Sequence, residues 1–142
     1  MAMQWFLFAL LSAVFAAATS ILAKIGIKDV NSNLATAIRT VVITFFAWGI
    51  VLAQGTFSQI KSLSRTTIVF LVLSGLATGL SWLFYFRALQ LGEASKVVPV
   101  DKLSLVLAVI MAVVFLHEKL TLATVVGSIL ITLGVLVVAL FK

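Results

Sequence analysis

The sequence predicts an all-α membrane protein, a unit of five transmembrane helices, and three observations predict it. The chain is 63% hydrophobic and 10% charged, with mean hydropathy +1.30, whereas a soluble domain carries roughly 25% charged residues. Lipid is therefore its solvent. Its apolar residues fall into five runs near the roughly 20 residues a helix needs to cross a core about 30 Å thick. Its ten Lys and Arg residues stand singly or in pairs at the ends of apolar runs, which is membrane-protein patterning and not a nucleic-acid-binding patch.

The first run is 3–23, MQWFLFALLSAVFAAATSILA. A secretory signal peptide over residues 1–20 is its competing reading, with AAATS as a small-residue cleavage site. No basic residue precedes the run, and it exceeds an ordinary signal h-region, so a span is the better reading. The sequence KDVNSN at 28–33 supplies Asp, Asn and Ser for a turn and helix N-cap before the second run, 34–53. A polar stretch at 54–66 precedes the third run, 67–89. Gly92 in LGE marks that run's termination. The fourth run is 97–116, with Pro99 suited to the first helical position. HEK at 117–119 is so short that the fifth run, 121–141, returns as an antiparallel hairpin.

No enzyme pattern accompanies these helices. With no cysteine, disulfides and thiolate metal sites are excluded. His117 and four scattered acids give no metal-ligand spacing, and no nucleophile–base pair or phosphate loop is present. No cofactor is expected.

The positive-inside rule barely chooses an orientation. Five spans alternate sides, leaving Lys24, Lys28, Lys96 and Lys142 on one side. Lys61, Arg65, Lys119 and the N-terminal amine lie on the other. Adding Arg39, Arg87 and Lys102 from within the runs favours an outside N-terminus. If those three are site residues instead, insertion both ways is expected.

Ionisable residues inside spans are expensive and commonly face a bundle interior or a cavity. Arg39 and Arg87 have an alternative, because long basic side chains snorkel toward headgroups. Asp101 is too short to do so. At the start of the fourth helix its carboxylate is stabilised by the partial positive charge of the helix N-terminus, with Lys102 adding balance. Such an end facing a polar space is also how transporters hold anionic groups. In the third run Trp82, Tyr85 and Leu89 share a face, with Arg87 offset. They read either as an interfacial belt or as the wall of an organic-solute pocket. Gly75 and Gly79 in GLATG, Ser12/Ala16 and Ala13/Ala17 let helices approach closely.

The segment ALQLGEASKVVPVDKLSLVLAVIMAVVFLHEKLT, followed by GSILITLGVLVV, resembles the EamA-like repeat of the drug/metabolite transporter superfamily. Arg39 after NLATAI is similar to a basic residue often found in the family's second helix. One departure is His117, where the family usually has glycine before the glutamate. The resemblance covers essentially the whole chain and makes residues 1–142 a single five-helix domain.

Most members of the superfamily join two inverted five-helix repeats into ten helices. This chain resembles the five-helix bacterial and archaeal members, which carry one repeat. The resemblance implies a ten-helix antiparallel dimer, from a second copy or a paired small homologue. It further implies a multi-pass protein of the cell inner membrane that moves small organic metabolites or drugs by alternating access.

Arg39, Trp82, Tyr85, Arg87, Asp101 and Lys102 are the candidate substrate-binding residues. Asp101 is the candidate proton-coupling group, and the surplus of cations inside the runs tilts the substrate toward anions or zwitterions. Two other readings stay open. One is a non-transporting or lipid-linked-sugar flippase subunit acting with a second small homologue; the other is a structural membrane protein.

Overall fold

A computed structural model describes residues 3–141. The N-terminal amine and Lys142, both used in the charge count, lie outside the described residues. The elements are α1 (Gln4–Gly26), α2 (Ser32–Ala53), a 3-10 helix (Thr56–Ser62), α3 (Arg65–Leu91), α4 (Ala94–Asp101), α5 (Leu103–Leu116) and α6 (Leu122–Leu140). Among the described residues no strand forms. Among the described residues five segments are long and apolar enough to cross a membrane, with α4 and α5 together making the fourth, Ala94–Leu116.

Local chemistry sets the helix ends. Asn31 caps α2, its side chain accepting from the amides of Asn33 at 2.9 Å and Leu34 at 3.3 Å. Ser64 accepts from the Thr67 amide at 3.0 Å ahead of α3, and Thr121 accepts from Thr124 at 3.1 Å ahead of α6. Each satisfies a donor that the first helical turn leaves free. Gly55, at φ 67°, turns the chain out of α2, a conformation that costs glycine little. The polar stretch after it is more ordered than a plain loop, because residues 56–62 wind into the 3-10 helix.

Within the spans, hydroxyls bond carbonyls one turn back. Thr36 donates to Ser32, Thr40 to Thr36 and Thr44 to Thr40 along α2; Thr78 donates to Ser74 in α3 and Thr132 to Ser128 in α6. This removes the penalty of an unmet polar group in hydrocarbon. These hydroxyls therefore mark no site by themselves.

The chain forms two compact units. One runs from Leu22 to Gln90; the other joins residues 3–21 with residues 91–141. In the first, Ala23, Ile27, Phe86 and Leu89 are buried. Two side chains tie the end of α3 to the α1–α2 turn there. Lys24 Nζ donates to the Leu89 carbonyl at 2.6 Å, and Gln90 Nε2 donates to the carbonyls of Val30 at 2.8 Å and Ile27 at 3.4 Å. A cation on the last carbonyls of α3 also suits the negative end of its helix dipole. In the second unit α6 packs against both α4 and α5, and α5 and α6 form the expected hairpin around residues 117–121.

The fourth span departs from expectation. It begins at Ala94 with Glu93 as N-cap, leaving only Gly92 and Glu93 outside helix where a 90–96 loop was expected. Pro99 therefore lies inside α4 and not at its first position. Proline has no N–H to give the Ser95 carbonyl, and the Lys102 amide bonds Pro99 at 3.0 Å, three residues back. The span is interrupted at one residue, Lys102, whose backbone stays right-handed at φ −70° and ψ −7°.

The glycine expectation also changes. A Cβ added at Gly75 or Gly79 would meet nothing within 4 Å, so the close helix approach expected there is not made within the Leu22–Gln90 unit.

Candidate functional site

The break in the fourth span relocates the acid. At 1.5 Å per residue, Asp101 lies about 10 Å and Lys102 about 12 Å from the start of that span at Ala94. Asp101 is thus not in a first turn at the membrane edge. It lies in the last turn of α4, just before the interruption at Lys102, and no side chain caps α5. Its compensation is local: Lys102 Nζ stands 3.3 Å from Asp101 Oδ2, with side chains 45% and 33% exposed respectively.

Lys102 also lines a groove of about 340 Å³ with Val98 and Leu105. The opposite wall is the small-residue face of α1, from Ala9 through Ser12, Ala13, Ala16 and Ala17 to Ser20. The short side chains that sequence reasoning assigns to tight packing instead leave room here. Ser20 Oγ is occupied with the Ala16 carbonyl at 2.8 Å. This unit therefore presents an apolar trough with one ion pair at the helix break.

The Leu22–Gln90 unit builds a second cluster. Arg39 lies about 10 Å from the start of α2 by the same rise. Its Cζ is 4.4 Å from the Phe86 ring centroid and 5.4 Å from that of Trp82. Those residues stand about 7 and 13 Å from the end of α3, so the guanidinium stays near its own depth. Trp82 and Phe86 present the same face of α3 because they are four residues apart. Tyr85, edge-on to Phe86 with centroids 5.9 Å apart, is close enough to Arg39 to interact electrostatically.

The rings offset only part of the cost of this charge. An arginine central in a membrane helix costs about 2.5–3.5 kcal/mol. A cation–π contact returns about 0.5–2 kcal/mol. Arg39 Nη1 is buried without a hydrogen-bond partner, and the ion pairs among the described residues are Lys96–Glu93 and Lys102–Asp101.

The remaining candidate, Arg87, is exposed and donates from Nη1 to Gln90 Oε1 at 2.7 Å. It steadies the side chain that ties α3 to the α1–α2 turn, and it does not join Arg39. The structure thus gathers Arg39, Trp82 and Tyr85 in one unit and Asp101 with Lys102 in the other. Sequence reasoning missed Phe86, though its spacing from Trp82 signals the shared face. It missed Lys24 and Gln90 because a third helix ending at 89 puts Gln90 in a loop.

The fold and its charged clusters define a multi-pass helical membrane protein. The sequence profile of the EamA-like transporter family matches residues 3–140. A protein of Sinorhizobium sp, named as an uncharacterized transporter in cobO 3'region, is 50% identical over 141 residues, 99% of this chain and 100% of that protein. No solved structure matches at a significant level. The chain belongs to the EamA-like transporter family and is a membrane transporter.

Proposed function

We propose that the chain is half of a transporter for small organic metabolites or drugs in the cell inner membrane, completed by an oppositely oriented copy and working by alternating access. The observation that carries this reading is the interruption of the fourth span at Lys102. That residue pairs with Asp101 and lines a groove, and charge at an interruption in a membrane helix is how transporters hold solutes at depth.

Two further observations support it. Basic residues at the loops of the two sides are nearly balanced, which permits insertion both ways. The Gly75–Gly79 face of α3 is open, which permits close approach by a helix from another chain. Asp101 and Lys102 in one unit, and separately Arg39, Trp82, Tyr85 and Arg87 in the other, are the candidate solute contacts.

The test is uptake by proteoliposomes from a mixture of small cell metabolites, read by mass spectrometry against protein-free vesicles. At least one organic solute is expected to accumulate, with loss of at least tenfold in initial rate for Lys102→Met and partial retention for Lys102→Arg. Equal uptake by Lys102→Met and the parent, or no solute moved by either, contradicts the reading.

A further inference from the structure

Arg39 is more completely described by what it lacks than by what it touches. Its guanidinium carbon lies against Phe86 at 4.4 Å and near Trp82 at 5.4 Å. Ring faces attract the charge but supply no lone pair in the guanidinium plane, where the N–H groups point. Nη1 has no hydrogen-bond acceptor, and among the described residues no carboxylate comes within ion-pair distance of this side chain.

Other cations of the chain show the contrast. Lys24 reaches the Leu89 carbonyl, Arg87 reaches Gln90 and Lys102 reaches Asp101. Each has a partner that accounts for its place. The guanidinium of Arg39 lies beside two rings instead.

The geometry points to Arg39, Trp82 and Phe86 as an anchor for an organic oxyanion, a carboxylate foremost. A guanidinium backed by ring faces is oriented by them, and its planar fork of N–H donors matches the two oxygens of a carboxylate. Trp82 and Phe86 then give an apolar wall for the organic part of the same ligand. A free metabolite and a lipid headgroup share this chemistry. The assignment rests on the transporter reading for its purpose, and it narrows the substrate to anions and zwitterions carrying such a group.

The experiment uses the full chain with Trp5→Phe and Trp48→Phe, which leaves Trp82 as the one tryptophan of three. Purified in an uncharged maltoside detergent, it is titrated with benzoate or with neutral benzamide of the same shape, and Trp82 emission is read. Benzoate is expected to give a saturable response with Kd at least tenfold below that of benzamide. Arg39→Gln weakens benzoate at least tenfold, and Arg39→Lys, which keeps the charge but loses the fork, weakens it several-fold. Circular dichroism confirms that both variants are folded.

Equal affinities for benzoate and benzamide, or a benzoate affinity unchanged by Arg39→Gln in folded protein, overturns the assignment. Repeating the titration in phosphatidylcholine nanodiscs with and without phosphatidylglycerol separates the sources. Competition by phosphatidylglycerol supports a headgroup in the anchor, and its absence supports a free solute. Solute uptake with no preference for benzoate removes this anchor and leaves transport standing. An Arg39-dependent benzoate site with no solute moved does the reverse.

Discussion

Replacing Lys102 with methionine keeps the length of the side chain and strands Asp101 about 10 Å into the fourth span. At a separation of 3.3 Å, Coulomb's law with an effective dielectric constant of about 20 gives about 5 kcal/mol for the pair as an upper bound. Both side chains are a third to a half exposed, and screening of that kind brings the expected coupling to about 1–2 kcal/mol. Single removal of a partner leaves an uncompensated charge, whereas removing both does not. The double variant Asp101→Asn/Lys102→Met should therefore be more stable than the sum of the single losses predicts. The assay is a double-mutant cycle, with unfolding by dodecyl sulfate in mixed micelles followed by circular dichroism. A coupling below about 0.5 kcal/mol would refute the claim that Lys102 is what makes Asp101 tolerable at this depth.

Other outcomes follow from particular contacts. His117 holds φ 55° at the end of α5, its amide and that of Glu118 converging on the Ala112 carbonyl. His117→Gly should raise stability by about 1 kcal/mol and His117→Val lower it by at least as much, read as thermal midpoints in detergent. Gln90→Ala removes the donor to the Val30 and Ile27 carbonyls and should cost about 1–3 kcal/mol in the same melt. Pro99→Ala returns an N–H to the Ser95 carbonyl; stability should rise by about 1 kcal/mol or more while solute uptake falls. A Cβ added at Gly75 meets nothing within 4 Å, so Gly75→Ala should leave folding by circular dichroism unchanged while the oligomer seen by native mass spectrometry is weakened.

The spans were legible because hydropathy and length decide them almost alone in lipid. A cap within KDVNSN and the stop at Gly92 followed from side-chain and backbone chemistry that acts within a few residues, though the choice of Asn31 came from the structure. The start of the fourth span was not legible. Proline is acceptable both at a first helical position and within a membrane helix where the backbone can tighten around it, and the polar letters EASK looked like loop. That one displacement moved Asp101 from a helix start to a helix break.

The clusters were legible in part for the same reason. A helical face predicts which residues of α3 stand together, Trp82 with Tyr85, and extends to Phe86 when the spacing of four is counted. It does not say which residue of α2 lies opposite, so the contact of Arg39 with Phe86 required the structure. His117 was visible only as a departure from the family's glycine. Its left-handed conformation supplies the physical reason why glycine suits that position.

The central claim, that the transporter is completed by a copy inserted the other way up, is tested most directly by sidedness at one residue. The chain has no cysteine, so Ser58→Cys in the exposed 3-10 helix places one reactive thiol on one side of each copy. In intact cells a membrane-impermeant maleimide should label about half of the copies, and the rest only after permeabilisation, since each orientation is present in equal number in an antiparallel dimer. Labelling of all copies from a single side, with no second small membrane protein recovered alongside, would contradict the account.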